Sequence, residues 1–357
     1  MERWCAVAPP GLEAVVAREL ATLGVETVVE PGLVRFFATR EAGAQLAYRC
    51  RTPARLLVEL ASAPARTSPQ LTALIGQIDW ASWLPGGVEV VVEASAKGSH
   101  LCREDAVAAS VTAALTPRLR ALAPGRRPPQ AVQRVAIRLV SNVATVSLDA
   151  GGADLLHIRG WRTAQGKAPL RENLAAAVLI AGGYAGDEAL VDPFCGAGTL
   201  AIEAALMADG RGPFVGRRLA CGDWLGVGRG PKGAPPCAQR PPIVAADRDG
   251  KAVAMTLENA ERAGVSLDLR CVDVSALEPP APTGLVVANP PYGHRLGQQV
   301  DGVYVAFGRA LRERFGGWRV AFLAPDERLA QKVDSRAQRL TVFPNGGLRV
   351  GLFALSI

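Results

Sequence analysis

From Ala189 onward the chain reads as seven short apolar runs: "ALVDPF", "PIVAAD", "LDLRCV", "GLVVAN", "WRVAFLA", "QRLTVF" and "LRVGLFAL". The first five are rich in β-branched residues and bracketed by helical segments, as strands of a doubly wound parallel sheet are. The last two are separated only by Pro344-Asn345-Gly346-Gly347. So short a link joins antiparallel neighbours alone, because a parallel return needs a crossover of about a dozen residues. A parallel sheet closed by one antiparallel hairpin is a narrow architectural class. The expected fold is therefore α/β, with a Rossmann-like seven-stranded domain.

The front of the chain has a different rhythm. "RWCAVAP" predicts a strand, "GLEAVVARELATLG" an amphipathic helix closed by Gly24, and "VETVVE" and "LVRFFA" two strands around Pro31-Gly32. A helix near Glu41 to Cys50 and the strand "ARLLVELA" complete a β-α-β-β-α-β, or ferredoxin-like, order. A helical stretch to Trp83, the strand "VEVVVEAS", a helix from Glu104 to Leu122 and two β-rich runs about a Ser141-Asn142 turn follow. Three segments are expected: a ferredoxin-like domain over 1–65, a second small α+β domain over 66–155, and the seven-stranded domain over 156–357. Asp209 to Pro242 is a Gly/Pro-rich insertion with six basic and two acidic residues, read as a surface loop able to touch substrate.

Composition removes several classes. The longest apolar run, Leu174 to Tyr184, is shorter than the roughly 18 residues of a membrane span. The N-terminus lacks the basic-then-apolar layout of a secretory signal. Seven scattered cysteines without a C-x-x-C pair argue against a disulfide framework or a zinc site, and for a reducing cytosol. Three histidines and no clustered ligands give no transition-metal centre. A cytoplasmic protein without membrane or metal is expected, with a monomer as the default because nothing sets the oligomeric state. The net charge is +7, and from Ala106 to Leu148 there is no acid but six arginines: Arg118, Arg120, Arg126, Arg127, Arg134 and Arg138. Phosphate backbones attract such a surface, although a solvated face of an arginine-rich protein reads the same way.

"LVDPFCGAGTLAIEAAL" has the form strand, Gly-rich turn, helix. Gly196 and Gly198 let the backbone approach a ligand, Thr199 can cap the helix, and Cys195 lies in the same turn. Gly196-x-Gly198-x-x-Ala201 also satisfies a loose dinucleotide fingerprint, but the acid expected about 20 residues later is absent at that spacing. Asp192 would face a pyrophosphate, whereas it suits an amino-acid ammonium. A ligand with an ammonium, a ribose and an adenine fits better, which is S-adenosylmethionine. Asp247 is placed to accept both ribose hydroxyls and Asp273 the adenine amino group. A helix N-cap is the ordinary alternative for each acid. Three acids at successive strand ends, on the ligand-binding edge of an open sheet, favour the ligand.

Asn289-Pro290-Pro291-Tyr292 ends the fourth strand on that same edge. The lone pair of a nucleobase amine is delocalised into its ring and must be freed and aimed to attack a methyl sulfonium. The Asn289 side-chain oxygen and the Pro290 carbonyl can hold the two amine hydrogens. Pro291 biases Pro290 toward an extended backbone, which fixes that carbonyl's direction. Tyr292 can stack on the base, a contact worth about 1–3 kcal/mol. The work is orientation, with no metal or strong base required. An ordinary strand-ending turn is the competing reading.

With these residues in place, the chain resembles the THUMP-domain RNA N2-guanine methyltransferases, class I S-adenosylmethionine-dependent enzymes of bacterial 23S rRNA and of tRNA. The matching pieces are "HIRGWR" (157–162), "APLRENLAA" (168–176), "LVDPFCGAGTLAIEAA" (190–205), "ANPPYGHRLG" (288–297) and the closing "FPNGGLRVGLFAL", with "GLEAVVARELATLG" near the start. The resemblance implies a ferredoxin-like plus THUMP region that presents RNA, then a class I methyltransferase domain acting on the N2 amine of a guanosine, in 23S rRNA first and tRNA second. By position, Asn289 to Tyr292 would hold the target amine, Asp192, Gly196 and Gly198 the methionine end, and Asp247 and Asp273 ribose and adenine. "APLRENLAA" would pack against the cofactor with Asn173 in contact, while Arg171 and Glu172 can simply pair on a helix face. His294 departs from the family, whose members usually carry an acid there. That acid either helps choose the nucleotide or is a neutral position on a loop. Long ribosomal members carry a second methyltransferase domain, so a second activity is not expected here. The same tetrapeptide serves DNA adenine and protein glutamine methyltransferases, and a non-catalytic RNA-binding factor is a third reading. The arginine stretch and the N-terminal layout favour RNA.

Overall fold

The computed structural model describes residues 1–125, 128–164, 170–214, 217–228, 240–292 and 299–357, and the chain divides into two compact units. The first comprises Met1–Val7, Leu20–Leu156 and Arg217–Pro231; the second comprises Ala8–Glu19, His157–Gly216 and Lys232–Ile357. Among the described residues no helix is long and apolar enough to cross a membrane.

In chain order the elements of the front half are β1 (Glu2–Val7), α1 (Glu13–Thr22), β2 (Val28–Glu30), β3 (Leu33–Ala38), α2 (Arg40–Arg49), β4 (Arg55–Pro64), α3 (Ser68–Gln77), β5 (Val90–Lys97), α4 (Glu104–Arg120), β6 (Gln133–Val140) and β7 (Val143–Asp149). The strands form one sheet of order β2-β3-β1-β4-β7-β6-β5, antiparallel except at β5–β6. The sheet runs on across residue 65, because β4 pairs with β7 from Leu57↔Asp149 to Pro64↔Val143. Ser141 and Asn142 take positive φ values of 49° and 65°, the two-residue turn that matches strand twist between β6 and β7. Trp4 is wholly buried and stacks on Phe36, and a Cβ at Gly43 would stand 2.1 Å from its ring, so only glycine fits α2 there.

The insertion departs from the surface loop that its composition suggests. Residues 217–228 are built into the first unit, with Leu219, Ala220, Cys221 and Trp224 buried. Trp224 packs edge-on against Trp83 at 5.6 Å and donates from Nε1 to Gln133 Oε1 at 2.8 Å. Gln133 Nε2 donates in turn to the Ala220 carbonyl at 3.0 Å, and Arg217 donates to the Leu155 and Gly151 carbonyls. Indole and amide surfaces that would be costly to expose or leave unpaired satisfy one another there. Residues 229–239 lie outside the described residues.

The second unit contains α5 (Glu172–Ala181), β8 (Leu190–Asp192), α6 (Thr199–Ala208), β9 (Ile243–Asp247), α7 (Gly250–Ala263), β10 (Asp268–Cys271), β11 (Leu285–Ala288), α8 (Gln299–Arg314), β12 (Arg319–Ala324), α9 (Glu327–Val333), β13 (Gln338–Asn345) and β14 (Leu348–Ser356). Its sheet has the order β10-β9-β8-β11-β12-β14-β13. The first five strands are parallel neighbours, and β14 is antiparallel to both β12 and β13, as the seven apolar runs predict. Alternate residues serve two cores, as the period of a strand demands. Leu190, Ala245, Leu285 and Val287 join Leu174, Val178, Ala201 and Ile202 of α5 and α6 on one face. Val191, Val244, Ala246, Val286 and Ala288 join Tyr304, Phe307, Leu311 and Val333 of α8 and α9 on the other. The result is a three-layer α/β unit.

Candidate active site

Strand order reverses between β8 and β11. From β8 the chain progresses outward through β9 and β10, and from β11 it progresses the other way through β12. In open α/β sheets the crevice for a ligand lies at such a switch point, outside the carboxyl ends of the strands. Asp192 closes β8, Asp247 closes β9 and Asn289 follows β11, so parallel pairing brings all three to one edge.

Asp192 is 1% exposed, and its Oδ1 accepts from the Phe194 N–H at 3.2 Å. Burial pushes its carboxyl up to about 8; the Phe194 N–H opposes this and the charge of Asp247 adds to it. The loop after it is pinned to strand β9. Cys195 N–H donates to the Ala246 carbonyl at 2.9 Å, and Gly196 N–H donates to Asp247 Oδ2 at 3.1 Å. The other oxygen of Asp247 accepts from Asp249 N–H at 3.0 Å. Gly198 has φ 84° and a Cβ there would lie 2.7 Å from Thr256 Cγ2, so glycine is required on both counts.

Several expected roles change in detail. The N-cap of α6 is Gly198 rather than Thr199, and it makes no side-chain cap bond. Thr199 is the first helical residue and its hydroxyl accepts from Arg162 Nη2 at 2.8 Å. Cys195 is buried with its Sγ 3.4 Å from the Thr256 hydroxyl, and burial drives its thiol far above the ordinary range. That is a packed, unreactive thiol. Asp273 caps the single turn Val274–Ala276, its Oδ1 accepting from the N–H and hydroxyl of Ser275 at 3.0 and 2.7 Å. Those bonds hold its carboxyl below the usual range. Asn173 is buried in α5, and its neighbour Glu172 takes Arg162 as partner at 2.7 Å.

At the end of β11, Asn289 Oδ1 is buried and has no hydrogen-bond partner among the described residues. A buried amide oxygen without a donor is unusual enough to require a reason. Pro290 is buried, and Tyr292 is half-buried against the core under α5 and α6. The Tyr292 hydroxyl accepts from Asn345 Nδ2 at 2.6 Å. His294 lies outside the described residues.

Three supporting residues escaped sequence reading. Arg162 joins Glu172, the Leu170 carbonyl and Thr199, tying "HIRGWR" to the starts of α5 and α6. Thr256 donates to the Gly196 carbonyl at 3.0 Å. Asn259 is wholly buried; it donates to the Ala164 and Ala197 carbonyls at 2.9 Å and accepts from the N–H groups of Thr163 and Ala164. The available signal was position: Thr256 and Asn259 fall three apart, with Ala252, Ala260 and Ala263, on the inward stripe of α7.

The six arginines of the front half do not act as one set. Arg134 and Arg55 clamp Asp149 at 3.2 and 2.7 Å, and Arg134 also meets Glu93 at 2.7 Å. Arg134 is therefore part of a structural ion cluster. Arg118 and Arg120 are exposed in the last turn of α4. Arg138 is exposed on β6 and lines a polar groove of about 420 Å³ with Arg3, Arg35, Glu30 and Glu59. Arg126 and Arg127 lie outside the described residues.

Against known proteins, residues 159–350 match the family described as "RMKL-like, methyltransferase domain", and residues 3–57 match the "RlmL ferredoxin-like domain". The chain is 34% identical to a "Ribosomal RNA large subunit methyltransferase K/L" of Methylococcus capsulatus, over 99% of this chain and 51% of that protein. It thus spans about half the length of that relative. It is 32% identical to the "Putative RNA methyltransferase YpsC" of Bacillus subtilis, over 98% of this chain and 94% of that protein. Among solved structures it is similar to SMU.472, a putative methyltransferase complexed with SAH, with a TM-score of 0.84, 27% identity and coverage of 99% and 98% of the two chains.

Proposed function

The chain belongs to the RMKL-like methyltransferase domain family, and from that premise we propose that it methylates the exocyclic N2 amine of a guanosine in RNA, using S-adenosylmethionine. Large-subunit ribosomal RNA is the first candidate substrate, in line with the name of the K/L relative, and transfer RNA the second. The observation that carries the reading is the Asn289 side-chain oxygen, buried and without a donor among the described residues, at the carboxyl end of β11 next to β8.

The residues present suit the methyl donor. Asp192 is a buried carboxyl with no cationic partner among the described residues, as an ammonium requires, and Asp247 retains lone pairs beyond its two backbone bonds. When bound, S-adenosylmethionine supplies a methyl carbon already activated by its sulfonium charge. The protein's task is then to orient the amine. Asn289 Oδ1 and the Pro290 carbonyl accept its two hydrogens, which turns the nitrogen lone pair out of conjugation. The Tyr292 ring stacks on the base and sets its distance. Exposed Arg138, Arg118 and Arg120 supply phosphate contacts, while Arg134, paired with Asp149 and Glu93, does not. The order-of-magnitude gain from such orientation alone reaches about 7–11 kcal/mol.

The test is transfer of tritium from labelled S-adenosylmethionine into ribosomal RNA, transfer RNA, DNA and release-factor protein, followed by nucleoside mass spectrometry. N2-methylguanosine in RNA is the expected product. Label confined to DNA or protein, or RNA label on another position, refutes the reading.

A further inference from the structure

We infer that Asn345, in the turn of the terminal β13–β14 hairpin, is a positioning residue that holds the Tyr292 ring in place for the substrate base. This rests on the role proposed above for Tyr292, and goes beyond it by assigning a function to the hairpin.

Asn345 is 9% exposed and its Nδ2 donates to the Tyr292 hydroxyl at 2.6 Å. Its place is dictated by the ladder behind it. Phe343↔Val350, Pro344↔Arg349 and Asn345↔Leu348 are paired, with Phe343 and Val350 buried in the core against which Tyr292 packs. Gly346 and Gly347 close the turn at φ 59° and 85°, the two positive values that a two-residue hairpin link needs. β14 is in turn paired with β12 from Arg319↔Ser356 to Ala324↔Gly351. Asn345 ends the edge strand β13, which is tied to β14 up to the turn, and β14 is tied in turn to β12 as far as Gly351.

Among the described residues, Tyr292 lies on no strand of its own. It is four residues past the end of β11 and follows two prolines that donate no backbone bond. The torsion that turns a phenol ring about its axis is broad and roughly two-fold. The core contact limits rotation of the ring about that axis, and the Asn345 amide, bonded to the hydroxyl that lies on the axis, limits the swing of the whole ring about χ1. Its exposed face is then set before the base arrives, which is the condition for stacking to contribute to orientation rather than to ordering the ring. The antiparallel hairpin, which closes the sheet architecturally, also serves the site.

The experiment is a double-mutant cycle with Asn345→Ala and Tyr292→Phe. Transfer is read on ribosomal RNA from a strain lacking this gene, with separate kcat and KM, the affinity for S-adenosylhomocysteine and the melting temperature. Each single change should lower kcat/KM about tenfold, the loss of one positioning hydrogen bond. The double variant should fall no further, with cofactor affinity within about twofold of wild type. Losses that multiply to about a hundredfold in the double variant, or wild-type kcat/KM for Asn345→Ala, overturn the inference. If Asn345→Ala melts early, Asn345→Ser replaces it, since serine keeps a turn-compatible polar residue but cannot reach the hydroxyl. If wild-type enzyme labels DNA or protein instead of RNA, the proposed substrate fails and the same cycle is read on that acceptor. Label in none of them overturns both.

Discussion

Replacing Asp192 by asparagine isolates one proton. Burial, with Asp247 nearby, pushes the Asp192 carboxyl from an ordinary 3.8 up to about 8, so the free protein holds it roughly nine-tenths protonated at pH 7. For an acid whose folded value is raised, the stabilising contribution is fully present below the unfolded value and is lost as pH rises toward and through about 8. An ammonium placed against the carboxyl reverses this preference, because it favours the charged form. Binding a cofactor through its α-ammonium must therefore release a proton. Below pH 7.5, where that ammonium keeps its own proton, affinity should rise about tenfold per pH unit, or about 1.4 kcal/mol. Calorimetric titration of S-adenosylhomocysteine in two buffers of different ionisation enthalpy counts the protons directly. Wild type should release close to one at pH 7, and Asp192→Asn should release none and show a flat affinity between pH 6 and 7.5. Equal slopes in the two proteins, or no proton release from wild type, would refute the assignment of Asp192 to the ammonium.

Asn289→Ala should abolish methyl transfer while S-adenosylhomocysteine binds within a few-fold of wild type, read by transfer assay and calorimetry; turnover near wild type would end the orientation mechanism. Arg138→Ala should weaken RNA binding and reduce the slope of log affinity against log salt by about 1. Arg134→Ala should instead lower the melting temperature, because it removes one of two guanidinium groups from buried Asp149; with Arg55 still at 2.7 Å the loss is that of a charged hydrogen bond, about 1.5–3 kcal/mol. Trp224→Ala should cost about 3–5 kcal/mol, the range for emptying a buried aromatic site, with Gln133 left partly unpaired. An unchanged melting curve for that variant would return residues 217–228 to the status of a surface loop.

How far the chain could be read from its residues depended on whether the relevant contacts were local. The doubly wound unit was legible because each strand is a short β-branched run, and because Gly346-Gly347 permits a single kind of link between β13 and β14. The crevice followed, since carboxyl ends of parallel strands meet at a switch point whatever their side chains. Residues 217–228 were not legible. Glycine and proline mark them as a loop, and residues distant in sequence, Trp4, Trp83 and Gln133, make a core position of Trp224. Thr199 was misplaced by one residue because a positive φ at Gly198 moves the helix start, a choice made by Thr256 and the loop rather than by local propensity. Arg134 and Arg138 are four apart in one arginine-rich stretch, yet pairing with Asp149 and Glu93 separates a structural cation from an exposed one.

The strand-end acids show why cap and ligand readings need not compete. Asp247 takes one N–H on each oxygen, from Gly196 and Asp249, and Asp273 takes both its bonds on Oδ1. An ionised carboxylate has about four acceptor sites, so each acid retains roughly two. The backbone bonds fix the rotation of the carboxylate before any ligand arrives, and the sites left over point where that rotation sends them. A cap of this kind lowers the cost of ordering the acid around a ribose or an amine. Asp192 differs in the quantity that matters: it has one N–H, almost no exposure and a carboxyl pushed up by burial, so its protonated form is favoured until a cation is placed against it. On the proposed binding mode, hydrogen-bond donors of the ligand would meet prepared carboxylates at β9 and after β10, and its charge would meet the acid at β8, which would ionise in response.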